Sequence, residues 1–428
     1  MKVFKFGGAS VNSASAVKNM TEIIRKNYGE PLAVVISAMG KTTNLLEKLV
    51  PQNDTPPQNL NENISQLSDY HTTIIKELFG DKAKPVLTKF KNIVERLETQ
   101  IHTSTSDYNY NYDHIVSFGE LISTTIVSEY LNFSGLENTW FDVRTLIKTD
   151  ASHREGKVDW SLTQSSVNDI LVPFFDTGKM AVTQGFIAGT SAGDTTTLGR
   201  EGSDYSASIL SYCLDAESMT IWKDVPGFLN ADPKFFDKTI KIKQIPYNEA
   251  IELTYYGASV IHPKTLKPLQ NKNIPLYVKS FITPENEGSA IGNFAQIDPL
   301  TPLYIFKNNQ VLLSISPKDF SFIAEDSLQT IFGHFANIGI KINLMQNSAL
   351  SFSVCVDYNE RLFNNLVESL LQNNFSVRYN TNLQLITMRY YNEQTIEDIV
   401  AGRKILLEQR SRTTTQIVVE EKKATKID

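Results

Sequence analysis

The chain has little cysteine, little histidine and no strong excess of either charge. Two cysteines, Cys213 and Cys355, stand far apart in 428 residues, and neither has a CxxC or Cys/His neighbourhood. That argues against a disulfide scaffold or a zinc site and for buried reduced thiols. A net charge of -6 argues against general nucleic-acid binding, although a local cationic pocket stays open. No apolar run reaches the length of a membrane span, and MKVFKFGGAS is too short and polar for a signal peptide, so a cytoplasmic protein is expected. A Walker A loop, GxxxxGK[ST], is missing as well. What remains is an ordinary globular composition, hydrophobic 41% and charged 21%, on a chain too long for one core. Two or three domains are expected.

Thr195 to Ser206, TTTLGREGSDYS, is the densest chemical stretch. It reads as a loop opening a helix, with hydroxyls, two glycines, one arginine and one carboxylate. Gly199 and Gly202 allow close approach of the backbone to a ligand, and Ser203 is placed to N-cap a helix Asp204 to Leu214 whose first amides face an anion. Arg200 adds a fork suited to carboxylate or phosphate. Asp204 beside phosphates requires a metal or lysine to neutralise it.

The rest of the chain supplies a frame for that loop. Lys2 to Phe6 reads as a strand, Gly7-Gly8 as a turn, and Val17, Met20, Ile23 and Ile24 as a helix face, with Lys5 at the strand end. Leu32 to Ile36 is an apolar run suited to a parallel sheet, ending in SAMGKTTN. Ser37 and Thr43 are its candidate ligand contacts; helix capping by Thr43 or Asn44 is the plainer alternative. Helical stripes follow over Leu60 to Leu78 and Val86 to Ile101, then a polar loop Thr103 to Asp113 and a helix opened by SFGE, with Glu120 in its first turn. His71 and His102 are given no chemical role. Strands at Thr139 to Val143, Met180 to Thr183 and Met219 to Trp222 keep the strand and helix alternation of a three-layer α/β/α domain. The last ends in KDVPGFLNADPK, a structured loop bearing Lys223, Asp224 and Lys234. His262 is read as a packed histidine at a helix start. Glu285 to Pro302 reads as a linker, placing one domain over 1–284. Residues 303–428 then read as one or two small α+β units, with strands at Ser376 to Tyr379 and Leu383 to Met388 and a helix at Glu397 to Glu408.

Taken together, these motifs resemble the aspartate kinase family of the amino-acid kinase fold. KFGGAS is similar to its KFGGTS, and SAMGKTTN, SFGE, GFIAGTSAGDTTTLGREGSDYSA, WKDVPGFLNADPK and YYGASVIHPKT resemble its later motifs in the same order, as far as about Phe281. The C-terminal third is similar to the family's paired, ferredoxin-like ACT regulatory domains, more clearly for Val311 to Val356; the second unit reads as degenerate. The resemblance implies phosphoryl transfer from MgATP to the side-chain carboxylate of L-aspartate, at the entry to lysine, threonine and methionine synthesis. A carboxylate is already a nucleophile at neutral pH, so alignment and charge neutralisation suffice.

By resemblance, Lys5 neutralises the transferring phosphoryl group, Gly7 and Gly8 supply amides, and Asp204 organises the lysines. Ser37, Thr43, Glu120, Arg200 and Ser203 hold aspartate, Arg200 by its carboxylate and Glu120 by its ammonium. Ser10, Lys223, Asp224, Leu229, Lys234 and Ser259 join the nucleotide site. Magnesium arrives with ATP, and no metal ligands of the protein's own are expected. Ala9, Lys223, Lys234 and Ser259 depart from the family's usual Thr, Thr, Arg and Lys, and Lys223 is the candidate to replace the charge absent at Ser259. Asn343, Gln346, Asn347 and Ser348 occupy the turn where the family binds an amino-acid effector, and a homodimer through the ACT-like region is implied. Competing readings are another amino-acid kinase, for glutamate or acetylglutamate, and a catalytically inactive sensor. Retention of Lys5, Arg200 and Asp204 weighs against the sensor.

Overall fold

Runs of five β-branched, aromatic and small residues become the central strands because both faces of each are covered. The computed structural model describes residues 1–421 apart from 53, 54, 259 and 320. Its first part carries β1 (Lys2–Phe6), β2 (Leu32–Ile36), β3 (Asn138–Phe141), β4 (Lys148–Thr149), β5 (Met180–Gln184), β6 (Ile187–Thr190), β7 (Thr195–Thr197) and β8 (Ser218–Lys223). All five residues of β2 and of β5 are buried, the signature of a parallel sheet enclosed by helices. One eight-stranded sheet runs in the order Gln244–Pro246, Ser289–Gly292, Leu276–Ser280, β8, β1, β2, β5, β3. Its pairs from Leu276–Ser280 to β3 are parallel. β4, β6 and β7 form a separate three-stranded sheet.

Parallel strands need crossovers, and helices provide them. They are α1 (Ala14–Arg25), α2 (Thr42–Glu47), α3 (Leu60–Phe79), α4 (Lys84–His102), α5 (Tyr108–Val116), α6 (Phe118–Phe133), α7 (Val143–Leu146), α8 (Trp160–Phe175) and α9 (Gly202–Cys213). The apolar stripes expected for α3 and α4 are the buried faces, with Leu67 and Ile75 on α3 and Phe90 and Leu97 on α4. His71 is fully buried on α3, and His262 caps the helix Pro263–Asn271 by accepting from the Lys264 N–H at 3.2 Å.

The chain divides into two compact units. The first is Met1–Phe228, Lys243–Ile251 and Val260–Ile297; the second is Leu229–Ile242, Glu252–Ser259 and Asp298–Asp428. The stretch read as linker holds the strand Ser289–Gly292, which pairs antiparallel to Leu276–Ser280. In the second unit a six-stranded antiparallel sheet has the order Ile342–Asn347, Phe352–Asp357, Leu303–Pro317, Phe375–Arg389, Thr414–Glu420, Ile405–Arg410. The helices Glu325–Ile338 and Glu360–Gln372 cover one half of it through Ile331, Phe335, Phe363, Leu366 and Leu370. The other half has one helix, Glu393–Val400, and the remaining cover comes from Ala231, Phe235 and Phe236.

Several elements differ from the sequence reading. The supposed loop Thr103 to Asp113 contains most of α5, because the Asp107 carboxylate caps it by accepting from the N–H groups of Asn109 and Tyr110. Tyr and Asn are poor helix formers, and that concealed it. Thr195–Thr197, read as loop, is β7. The two strands read at 376–388 are one continuous strand, Phe375–Arg389. The helix expected over Glu397 to Glu408 stops at Val400, with Gly402 at φ 65°, and Ile405–Arg410 is a strand.

Candidate active site

A cavity of about 910 Å³ opens at the carboxyl ends of β1, β2 and β8 and at the N-terminus of α9. In open α/β sheets, this is where ligands lodge. Its floor is tightly built: a Cβ on Gly8 would fall 2.8 Å from the Ala38 carbonyl oxygen, and the Gly40 N–H donates to the Gly8 carbonyl at 3.0 Å. Glycine at position 8 lets the β1 and β2 loops close on one another. α2 starts at Thr42 without a side-chain cap, which leaves Thr43 on the cavity wall.

Three charges meet at the start of α9. Lys5 Nζ lies 2.6 Å from Asp204 Oδ1, and Lys223 Nζ lies 3.4 Å from Asp204 Oδ2. Burial pushes the Asp204 carboxyl up, but the two ammonium groups outweigh it and hold the pKa below the ordinary value. The cluster is an ionised triad with net positive charge. Ser203 does not cap α9, as expected from sequence; the helix begins at Gly202, and Glu201, at φ 53°, is the uncapped residue before it. Ser203 is already inside the first turn, where it packs on Gly185: a Cβ there would come 2.5 Å from the Ser203 Cβ.

Two more of the carboxyls that line the cavity, Glu120 and Glu201, are shifted by burial. Glu120, 2% exposed, accepts the Ala38 N–H at 3.2 Å through Oε1, and its Oε2 has no partner among the described residues. Burial pushes its pKa up to about 8, against the smaller opposing effect of the Ala38 N–H. Glu201 Oε2 is also buried without a partner among the described residues. Burial raises its pKa, with Lys223 opposing. Arg200 lines the same cavity.

Lys5, Gly8, Ser37, Thr43, Glu120, Arg200, Ser203, Asp204 and Lys223 therefore share one wall system. Others expected at the site stand elsewhere. Gly7 backs onto Lys5, since a Cβ there would sit 3.4 Å from Nζ. The Ser10 hydroxyl is used within the fold, donating to the Trp222 carbonyl at 3.3 Å. Asp224 follows β8 but does not line the cavity. Leu229 and Lys234 belong to the second unit, where the Lys234 N–H donates to Asp232 Oδ1 at 2.8 Å, and Ser259 lies outside the described residues. Lys223, the candidate replacement for its charge, is bound to Asp204 and also donates to the Val260 carbonyl. In the second unit, Asn343 is engaged by Lys307 at 2.8 Å, Gln310 at 2.8 Å and Asp357 at 3.0 Å. Ser348 bonds to Ser351, and Gln346 and Asn347 are exposed.

Sequence reading missed an entire side of the cavity, formed by Glu47, Asn109, Tyr112, His153, Arg154 and Glu155. Tyr112 Oη donates to Glu47 Oε1 at 2.8 Å. Behind them Asp113, fully buried, accepts from His153 Nδ1 at 3.0 Å, the Arg154 N–H at 2.9 Å and Thr197 Oγ1 at 2.7 Å. This one carboxylate ties α5, the loop after β4 and β7 together. The available signal was the polar, glycine-bearing run TDASHREGK, which carries no family motif.

Comparison with known proteins agrees with this architecture. The model of the amino acid kinase family matches residues 1–280. Lysine-sensitive aspartokinase 3 of Escherichia coli (strain K12) is 31% identical over 360 residues, which cover 83% of this chain and 78% of that protein. The crystal structure of E. coli aspartokinase III in complex with aspartate and ADP superposes with a TM-score of 0.82 at 25% identity, covering 98% of this chain and 96% of that one. The complex of the same enzyme with lysine and aspartate gives 0.81 at 26%, with the same coverage. With the family model matching residues 1–280 and a relative 31% identical over most of both chains, the chain belongs to the amino acid kinase family and, within it, to the aspartokinases.

Proposed function

We propose that this cavity transfers the γ-phosphoryl group of ATP to the side-chain carboxylate of L-aspartate, giving 4-phospho-L-aspartate and ADP, in the biosynthesis of aspartate-derived amino acids. The observation that carries the reading is the buried Lys5–Asp204–Lys223 cluster at the start of α9, in one cavity with Arg200 and Glu120. A β-carboxylate oxygen of aspartate attacks the γ-phosphorus as the bond to the β,γ-bridging oxygen breaks, and the electron pair leaves with ADP. No proton moves. The protein therefore has to align the reactants and neutralise charge on the transferring group. Lys5 and Lys223 face that charge, the α9 amides add to it, and Asp204 holds both ammonium groups in place. Arg200 takes the α-carboxylate of aspartate and Glu120 its ammonium, with Ser37, Thr43 and Ser203 as hydroxyl contacts. The partnerless Glu201 Oε2 suits an oxygen-seeking cation. Magnesium bound with the nucleotide would further neutralise its phosphates.

Gly7, Ser10 and Asp224 complete the proposed nucleotide side. A catalytic part over 1–284 and a regulatory part over 303–428 are proposed, with an amino-acid effector near Asn343 to Ser348; the lysine complex of the E. coli relative supports the effector class. Exposed Met345 and Leu350 on and beside the edge strand Ile342–Asn347 support a homodimer through this sheet. Two buried, unpaired cysteines support a reducing cytoplasmic setting.

The test is aspartate-dependent hydroxamate formation by purified protein with MgATP and hydroxylamine, with glutamate and N-acetylglutamate as control acceptors. Product with aspartate alone is expected. ATP binding without product from any acceptor would replace the kinase with a sensor.

A further inference from the structure

We propose that Arg154 is a second guanidinium for the α-carboxylate of the acceptor, acting beside Arg200 and setting the preference for an acceptor with two carboxylates. This rests on the phosphotransfer reading given above.

The first observation is backbone conformation. Among the described residues ten non-glycine positions have positive φ, and six of them are Asn or Asp, which tolerate that region through local hydrogen bonds. The other four are Arg154, Phe186, Glu201 and Tyr390. Three of these, Arg154 at φ 69°, Phe186 at φ 67° and Glu201 at φ 53°, line the one cavity described above. Strain of this kind persists where the surrounding structure over-determines it, and it gathers at functional sites. A glycine would meet the backbone need at position 154 without strain, so the retained side chain calls for its own account.

The second observation is what over-determines Arg154. Its N–H is held at 2.9 Å by the buried Asp113, whose other contacts are His153 and Thr197. Two residues on, the Gly156 N–H donates to the Thr197 carbonyl at 2.8 Å. The loop is thus bound at both ends to the strand that leads into Gly199 and Arg200.

The third is how the guanidinium is presented. It stacks over the Tyr112 ring with 4.4 Å to the centroid, and the Tyr112 hydroxyl is itself fixed by Glu47. Arg154 makes no ion pair among the described residues. A stacked guanidinium keeps its in-plane donors free, ready for a planar carboxylate. Arg200 arrives from the adjoining turn: a Cβ on Gly199, at φ 75°, would lie 3.2 Å from the Arg154 carbonyl oxygen. Two arginines stand on abutting loops of one cavity, and although Glu155 and Glu201 line it too, neither arginine forms an ion pair with them among the described residues. The phosphoryl end already has Lys5 and Lys223, so the vacancy left for Arg154 is at the acceptor's non-reacting carboxylate.

Arg154→Gly separates this role from bracing, since it removes both the strain and the guanidinium. In the full chain the variant is expected to melt no lower than the parent, because glycine suits φ 69°. Its KM for L-aspartate should rise about tenfold or more, with a smaller fall in kcat, and the KM for ATP should stay within about twofold. Calorimetric binding of L-aspartate should weaken by a similar factor, and Arg154→Lys should fall between. The disadvantage of L-aspartic acid α-amide, which lacks the α-carboxylate, against aspartate should shrink by about the same tenfold in Arg154→Gly, the rest being kept by Arg200. An unchanged aspartate KM, or a rise confined to ATP, overturns the inference and leaves the kinase reading standing. Failure of the parent protein to phosphorylate or bind aspartate overturns both, and is seen before any variant is made.

Discussion

Lys5 and Asp204, 199 residues apart in sequence, meet at 2.6 Å with side chains 8% and 3% exposed. An ion pair so deeply buried adds little to stability by itself, while breaking it leaves an uncompensated charge. Its value lies in holding the ammonium at a fixed point. Asp204→Asn is expected to lower kcat by about a hundredfold or more, with Lys5 and Lys223 left to repel each other. Steady-state kinetics at saturating ATP and aspartate checks this, and a fall of less than about threefold would remove Asp204 from the catalytic role.

As the proposed contact of the aspartate ammonium, Glu120 is expected to make aspartate binding pH-dependent. With its carboxyl pushed up to about 8, it is protonated in the free protein at neutral pH, whereas a bound ammonium favours the carboxylate. Binding therefore releases a proton below pH 8, and affinity for aspartate should rise by up to about tenfold per pH unit until it levels off there. Calorimetry at about pH 7 in two buffers of different ionisation enthalpy reads the proton directly. Equal heats in both buffers would contradict the assignment, and Glu120→Gln should abolish the difference.

His71 ties stability to acid. It is fully buried, its Nδ1 donates to the Leu67 carbonyl at 2.8 Å, and burial pushes its pKa down from 6.5 to about 4. A depressed folded-state pKa contributes stability present above the unfolded value of 6.5 and lost as pH falls through 4. The loss across that window is about 3 kcal/mol. Denaturant unfolding at several pH values should show it, and His71→Gln should flatten the acid slope. An identical slope in both proteins would sink the claim.

Phe236 completes the second half of the antiparallel sheet, with ring centroids 4.8 Å from Tyr304 and 5.8 Å from Phe306. Phe236→Ala should destabilise that unit by about 3–5 kcal/mol. Hydrogen exchange should quicken in Phe375–Arg389 and Thr414–Glu420 while the amides of β1 and β2 keep their protection. Uniform change across the chain would mean that the ring does not act locally.

Legibility from sequence followed the range of the interactions. β1, β2 and β5 could be read because an enclosed parallel strand must be apolar throughout, and α3 and α4 because each buries one regular stripe. Arg200 and Asp204 stood out locally, in a glycine-bearing loop that opens a helix, whereas Lys5 before two glycines reads by itself as a surface lysine and took its role, like Gly8, from the resemblance. Arg154 could not be read: what fixes it is Asp113, 41 residues earlier, on a helix whose Tyr and Asn content hides it. The cap assigned to Ser203 failed because the helix opens at Gly202, ahead of the serine. Ile405–Arg410 was misread because its strand partner, Thr414–Glu420, supplies order that local propensity does not.

The strands Leu303–Pro317 and Phe375–Arg389 run side by side through both halves of the second sheet, with register shifts only between Lys307 and Leu312. They act as a pair of beams on which both halves are mounted. Because the ladder resumes on both sides of that irregularity, neither half can melt alone without exposing strands that continue into the other. An effector that stiffens the half with two helices would then be felt in the half with one, as a shared change in amide protection.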